Sequence, residues 1–365
     1  MLHFFRKIRR DLLANSQFFK YLKYAIGEIV LVVLGILIAL YINNLNEQRK
    51  SEKRVKLLFH QVQKELLYNI SRTNYIINYY VYKDSLFYKV IKGNIDYNDY
   101  TAQRSFMNLI TRFDVEVEVE DNAIRQLIES EESFTPEQDS LVNRLRNLYG
   151  LDLLKVRTQN DILKKMVNDF RQKLKDEKPW YSELNIPISA SRITPQLSEE
   201  IVSYFLIDPY YLNEVQDFIN AGYQAHLKYI LGFRTSAINV HKEISYYLDK
   251  TADLTPIPDF DSNFLGSYEN EKMNSSIDDK NVEVVIERKK DALWIHIYEN
   301  GAFLESIEAF PYSKDSFIGV FGRRGGQGGV LNKFRHNEKT KKNELILIGD
   351  FGYNGQKRPK YVQIN

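Results

Sequence analysis

Residues 29–42, from Ile29 to Ile42, read IVLVVLGILIALYI, and the Tyr41 hydroxyl is their only polar side-chain atom. Extended back through Glu28, Gly27, Ile26 and Ala25 to Tyr24, the run reaches nineteen residues. As a helix it would be about 28 Å long, close to the hydrocarbon thickness of a bilayer. A transmembrane helix over residues 24–42 is expected, a buried core helix being the alternative. No other segment approaches this length, so the chain reads as single-pass. Ile38-Ala39-Leu40-Tyr41-Ile42 runs straight into Asn43-Asn44-Leu45, without the small-x-small pattern of a cleavage site, which favours an uncleaved signal anchor.

Residues 1–23 form a basic segment in which Arg6, Lys7, Arg9, Arg10, Lys20 and Lys23 are interleaved with Phe4, Phe5, Ile8, Leu12, Phe18, Phe19 and Leu22. That composition suits an interfacial helix on an anionic leaflet or a loosely ordered positive-inside tail. Six Lys/Arg precede the span, and five (Arg49, Lys50, Lys53, Arg54, Lys56) follow within the next twenty residues. The bias is toward a cytoplasmic N-terminus with the C-terminal domains on the other side. Within the span, Glu28 is a carboxylate about one turn from the bilayer edge. It either meets another helix or a proton there, or snorkels to the interface beside Lys23. Gly35-x-x-x-Ala39, with Gly27 two turns earlier, is a small-residue pattern that lets helices approach closely. Glu28, Gly27, Gly35 and Ala39 are the candidate membrane-helix contacts.

The run KYAIGEIVLVVLGILIALYINNLNEQRK (Lys23–Lys50), preceded by FFRKIRRDLL, resembles the N-terminal signature of an uncharacterised single-span protein family of Gram-negative bacteria, a domain of unknown function. The resemblance covers residues 4–50, about an eighth of the chain. It implies a bacterial envelope location, and no catalytic residues, since none are established for that family.

Residues 43–254 read as a helical stalk and an antiparallel bundle of four or five helices. Val55, Phe59, Val62, Leu66, Ile70, Ile77 and Val81 recur at three- and four-residue steps, so the transmembrane helix is expected to continue to Gly93-Asn94. Short helices are expected near 98–112 and 120–131. Thr135-Pro136-Glu137 reads as a helix start, with an interruption at Gly150. Pro179, Pro187 and Pro195 mark an irregular stretch, and Asp208-Pro209 a break before a last helix running to Lys250. Residues 1–56 hold 11 basic and 4 acidic side chains, residues 57–254 hold 23 and 28, so the basic end faces the membrane. DVEVEVED (114–121) lacks the turn glycine of a calcium loop and suits an exposed strand or an acidic helix start. The cluster Tyr75, Tyr79, Tyr80, Tyr82 and Tyr88 serves either packing or a partner surface.

After Thr255-Pro256-Ile257-Pro258 the pattern changes to short strands: 264–270, 282–288, 292–298, 303–310, 316–321, 329–336, 344–350 and 360–364. Residues 255–365 therefore read as a small antiparallel β-barrel or sandwich, filled by Trp294, Ile295, Phe303, Phe310 and Phe317. LGSYEN, KKDALWIHI and the terminal YVQI resemble lipocalin-like β domains, which implies a binding or packing module whose mouth could take a small ligand. Gly322-Arg323-Arg324-Gly325-Gly326-Gln327-Gly328-Gly329 is either a hairpin loop or an anion-binding nest built by Arg323, Arg324, Gly325 and Gly326. It lacks the Gly-Lys-Ser/Thr of a nucleotide loop, and no helix follows.

Overall, then, the fold class is membrane-anchored α+β. The 365 residues (43.0 kDa) carry a formal charge of +2, so nucleic acid is not an expected partner. No cysteine is present, which excludes disulfides, thiolate zinc sites and thiol catalysis. The six histidines are scattered, and no hydrolase, metalloprotease, dinucleotide or kinase motif occurs. No catalytic, cofactor or metal residue is nominated. The expected role is a non-enzymatic, inner-membrane-anchored scaffold or interaction protein whose partners are the lipid bilayer and itself or another membrane protein. The alternative is a membrane-anchored receptor sensing a small-molecule ligand through the β domain or bundle. A tethered hydrolase would need a catalytic cluster that the sequence does not display.

Overall fold

The apolar run and the amphipathic run after it form one helix. In the computed structural model, which describes residues 6, 10, 18–102, 109–110, 118–185, 199–249, 259–271, 281–289, 292–319, 329–352 and 358–364, α1 spans Phe18–Ile91, 74 residues. After Gly35 it contains neither glycine nor proline, so nothing interrupts its hydrogen bonds over about 110 Å. It stops where Gly93 takes φ 64°, with Gly93 N–H donating to Val90 O and Asn94 N–H to Lys89 O, a closure that an L side chain would strain.

From residue 51 onward α1 is the central rod of the helical body. Val55, Phe59, Val62, Leu66, Ile70 and Ile77 are fully buried along its inner face. The short helices α2 (Tyr97–Ala102) and α3 (Asn122–Ile128) follow. α4 (Pro136–Asn147) opens with a capping box between Thr135 and Gln138. A π-turn at Leu148–Asp152, around Gly150, joins it to α5 (Leu153–Glu177). α6 (Glu199–Ile207) ends at Asp208, whose carboxylate caps α7 (Pro209–Ala221) through Tyr210 N–H at 2.8 Å. A second π-turn, Gly222–Leu227, leads into α8 (Lys228–Tyr247). The body is thus three long rods with short helices attached, where the sequence suggested four or five helices. α7–α8 runs antiparallel to α1: Phe218 stacks on Phe87, and Ser245 accepts from Gln63 near the other end. α4–α5 runs alongside α1 in the same direction, Tyr149 meeting Asn69 and Gln159 reaching Ala221.

Of DVEVEVED, residues 114–117 lie outside the described residues. Glu118–Glu120 are neither helix nor strand, Asn69 accepts from Glu120 N–H and donates to its carbonyl, and Asp121 precedes α3. The Glu65 carboxylate accepts from Ala123 and Ile124 N–H, so a side chain of α1 caps that helix. The tyrosine cluster divides: Tyr80 is buried, whereas Tyr75 and Tyr82 are exposed.

All eight expected strands form: β1 (Gly266–Asn270), β2 (Val282–Lys289), β3 (Ala292–Glu299), β4 (Ala302–Ser313), β5 (Ser316–Gly319), β6 (Val330–Asn337), β7 (Lys342–Leu347) and β8 (Lys360–Gln363). Each pairs antiparallel with the next, and β8 closes on β1 through Tyr268 opposite Gln363. The barrel therefore has no free edge. Its interior holds Tyr268, Val284, Ile286, Leu293, Ile295, Ile297, Ala309, Phe317, Phe334 and Leu345, with Phe260 at one end. Ile295 and Phe317 lie inside as the alternation required, but Trp294, Phe303 and Phe310 do not. Trp294 falls on the outer face between inward Leu293 and Ile295. A register shift at Ile297/Tyr298 inserts Leu304 into β4 as an extra residue, leaving Phe303 outside, 58 % exposed, against Tyr298. Phe310 is buried against the helical core instead, together with Ile318, Leu331, Ile348 and Phe351.

Phe334 sits among Phe260, Phe264, Tyr268 and Phe317, with ring centroids 4.8–5.7 Å away. Phe334→Ala should cost about 3–5 kcal/mol of barrel stability. Trp180 lies in the helical body and Trp294 in the barrel, so denaturation of the full chain in detergent, followed by fluorescence in a Trp180→Phe background, reads the barrel alone.

Candidate functional site

The residues that sequence reading singled out in the span lie on a bare stretch of α1. Its most apolar eighteen-residue window has a mean hydropathy of 2.7, and none of it is buried against the rest of the protein. Ile29–Ile42 is exposed on every side, an arrangement that is unfavourable in water and natural in lipid. A Cβ added to Gly27 or Gly35 would meet nothing within 4 Å, so neither glycine is required by the protein's own packing. At 100° per residue, Glu28, Gly35 and Ala39 fall within about 40° of arc, while Gly27 lies about 80° round from Gly35. The structure therefore brings three of the four onto one face and sets Gly27 aside.

Arg323, Arg324, Gly325 and Gly326 lie outside the described residues. Downstream, Gly329 N–H donates to Lys228 O at 3.2 Å, and a Cβ at Gly329 would stand 2.7 Å from Leu231 Cβ. Gly329 is glycine because β6 enters the barrel pressed against α8.

The chemistry the sequence did not nominate is concentrated where the barrel meets α1. Asp84 and Arg358 form a bidentate pair, with Nη1 to Oδ2 at 2.6 Å and Nη2 to Oδ1 at 2.7 Å. Their side chains are only 5 % and 11 % exposed. Asp84 Oδ1 also accepts from Gly349 N–H at 2.8 Å, and Arg358 Nε donates to Asp350 O. Gly349 has φ 83°, and a Cβ there would lie 2.8 Å from the Tyr223 ring. One ion pair thus fixes both ends of the segment joining β7 to β8 onto the long helix.

One turn away, the Tyr80 hydroxyl and His226 Nδ1 are 2.8 Å apart, both groups fully buried. Tyr223 donates to Tyr80 O at 2.9 Å and packs on Phe351 at 5.1 Å. Burial pulls the His226 imidazole down to about 3 and pushes the Tyr80 and Tyr223 hydroxyls well above their ordinary value. All three therefore stay neutral near pH 7. Lower down, Arg234 is fully buried without a carboxylate. Its Nη1 donates to Ile70 O and Thr73 Oγ1, and its guanidinium lies 5.5 Å from the Tyr312 ring centroid. Burial lowers it to about 10. The Tyr312 hydroxyl in turn donates to Asn78 on α1 at 2.7 Å. On the far side of the barrel, burial works to raise the Glu344 carboxyl, but hydrogen bonds from Asn337, Lys360 and Arg335 outweigh it and hold the group at about 2.

These polar groups tie elements together and face one another across packed interfaces. Among the described residues no three His, Asp or Glu side chains converge as a metal site. No family model, curated protein or solved structure matches the chain. The only early signals of the joint were residue types: an Asp in the middle of a helix, an Arg beside a proline near the C-terminus, and glycines flanking short strands.

Two predictions follow from this chemistry. Asp84→Ala leaves Arg358 buried without its partner and should cost about 3–5 kcal/mol, with Asp84→Ala/Arg358→Met recovering part of that loss in a double-mutant cycle by denaturant titration. The second concerns acid. His226 resists protonation when folded but binds a proton at about 6.5 when unfolded, so its contribution is intact above pH 6.5 and is lost as pH falls toward 3. The slope is about 1.4 kcal/mol per pH unit. Glu344 acts lower, losing its contribution as pH falls from 4.5 toward 2. Thermal unfolding between pH 6.5 and 4.5 should therefore be distinctly less pH-sensitive in His226→Gln than in the natural chain.

Proposed function

We propose that the protein is a single-span, non-enzymatic scaffold of a bacterial inner membrane. Residues 24–42 cross the bilayer, the basic residues 1–23 remain in the cytoplasm, and the helical body and barrel stand in the periplasm as a homo-oligomer or as a subunit of an envelope complex. The observation that carries this reading is the continuity of α1. Its first part is apolar and uncovered, its last part is the central rod of the body, and no flexible joint intervenes. Tyr312 grips α1 at Asn78, so the barrel would be held about 50 Å beyond the end of the apolar run. A rigid spacer displaying a closed barrel at fixed height is what an assembly platform needs.

Three further observations support it. The charge balance, six Lys/Arg before the span and five after it, favours a cytoplasmic N-terminus. The resemblance of residues 4–50 to single-span proteins of Gram-negative bacteria points to the same membrane. The barrel's interior is occupied by its own aromatic and aliphatic side chains, which favours a packing or docking module over a ligand-sensing one.

The chain should stay in the membrane fraction through an alkaline wash, and Val33→Arg/Leu37→Arg should release it. Recovery of the natural chain in the wash supernatant would defeat the anchor. Because the chain lacks cysteine, Phe303→Cys, on the exposed barrel surface, reports orientation. A membrane-impermeant maleimide should label it in cells with a permeabilised outer membrane, and labelling only after lysis would reverse the topology.

A further inference from the structure

The outer face of α1, opposite its packed face, carries a regular pattern of exposed residues. From Leu57 onward the exposed positions are Leu57, Gln61, Lys64, Tyr68, Ser71, Arg72, Tyr75, Asn78, Tyr82, Ser85 and Lys89; Asn78 also accepts from Tyr312 of the barrel, and, Arg72 apart, they alternate in four- and three-residue steps. This is the spacing by which one helix seats against another. Tyr68, Tyr75 and Tyr82 recur every seven residues and are 42 %, 67 % and 58 % exposed, although each carries a large apolar ring. Leu57 is 59 % exposed on the same side. At 100° per residue, Gly35, Ala39, Leu57, Tyr68, Tyr75 and Tyr82 fall within about 60° of arc, roughly opposite the Val55, Phe59, Val62 and Leu66 side. Two small residues in the apolar segment and three tyrosines in the body therefore lie on one straight face, with Lys64 dividing the membrane part from the tyrosine part.

We infer that this face is the seat of a second copy of the same chain, the two α1 helices lying parallel along a two-fold axis normal to the membrane. The inference rests on the anchor proposed above and names its partner. The length and straightness of the face select the occupant. Whatever covers both Gly35 and Tyr82 must itself be an unbroken helix of about 50 residues that is apolar at membrane depth and polar beyond it. A second α1 meets those requirements by construction. Two copies anchored through this helix in one bilayer share orientation and height, so Gly35 faces Gly35 and Tyr75 faces Tyr75. The contact is isologous, each residue meeting its own copy, as a two-fold interface requires. Gly35 and Ala39 permit close backbone approach in lipid, where dispersion and packing hold helices together. In water the tyrosines supply apolar area at a low cost in side-chain entropy, with Ser71 as a small polar neighbour.

The absence of cysteine allows a direct test in native membranes. Gly35→Cys, Tyr68→Cys and Tyr75→Cys are made singly in the full chain, with Leu154→Cys on α5 and Phe303→Cys on the barrel as controls that are also 58 % exposed. After mild oxidation, a disulfide-linked species of twice the chain mass is expected at all three seam positions, at least about fivefold above the controls, because a two-fold axis brings a residue beside its own copy. Tyr68→Glu/Tyr75→Glu should also lower the detergent-solubilised mass from dimer to monomer while the chain stays in the membrane. Seam yields no higher than the controls, or a cross-linked product with a different protein, would overturn the second copy as occupant. If the chain stays in the membrane through the alkaline wash but shows no seam dimer, this inference fails alone. If the wash releases it, the anchor fails as well.

Discussion

A single backbone carries a helix whose first third is apolar on all sides and whose second half is amphipathic. α1 runs without a break, because residues 36–91 contain no glycine or proline. Every later element is placed against that rod. α8 and α7 return along it, α4–α5 fills the groove beside them, Glu65 of α1 caps α3, and the barrel is gripped at Asn78 and Asp84. The position of each part relative to a membrane would follow from its position along α1 alone.

The barrel has two distinct faces. Inside, it is a closed apolar core; outside, one side contributes Phe310, Ile318, Leu331, Ile348 and Phe351 to the core of the helical body. Apolar burial alone leaves such a joint able to slide. The bidentate Asp84–Arg358 pair, the Gly349 contact with Tyr223 and the Tyr312–Asn78 hydrogen bond are directional and short. They fix the register of barrel against rod. The buried charges and the neutral His226 are tolerated because hydrogen bonds or aromatic rings replace the water that burial removed. Burial of His226, which holds its imidazole neutral, makes the joint sensitive to acid.

Much of the organisation was legible without coordinates. The long apolar helix, the helix start at Thr135-Pro136, the break at Asp208-Pro209 and all eight strands follow from periodicity and turn residues, since each depends on neighbours close in sequence. What went astray involved distant partners. Phe310 and Trp294 have the composition of barrel-core residues, but Phe310 is buried on the barrel's outer side against the helical body, and Trp294 alternates with inward Leu293 and Ile295. The extra residue at Leu304 then inverts the alternation that would have placed Phe303 inside. Glu65, Asp84, His226 and Arg234 carry no local pattern, because their partners lie between 58 and 274 residues away.

The amino-acid sequence by itself therefore determined the apolar rod, the helical middle and the strand succession. All of these are consequences of the periods of 3.6 and 2 that local backbone geometry imposes. The tertiary structure decided that the strands close into a filled barrel, that the barrel docks on α1 through Asp84 and Arg358, and that Tyr68, Tyr75 and Tyr82 stay exposed. Those outcomes depend on which surfaces meet across long separations in the chain, and no local propensity encodes them.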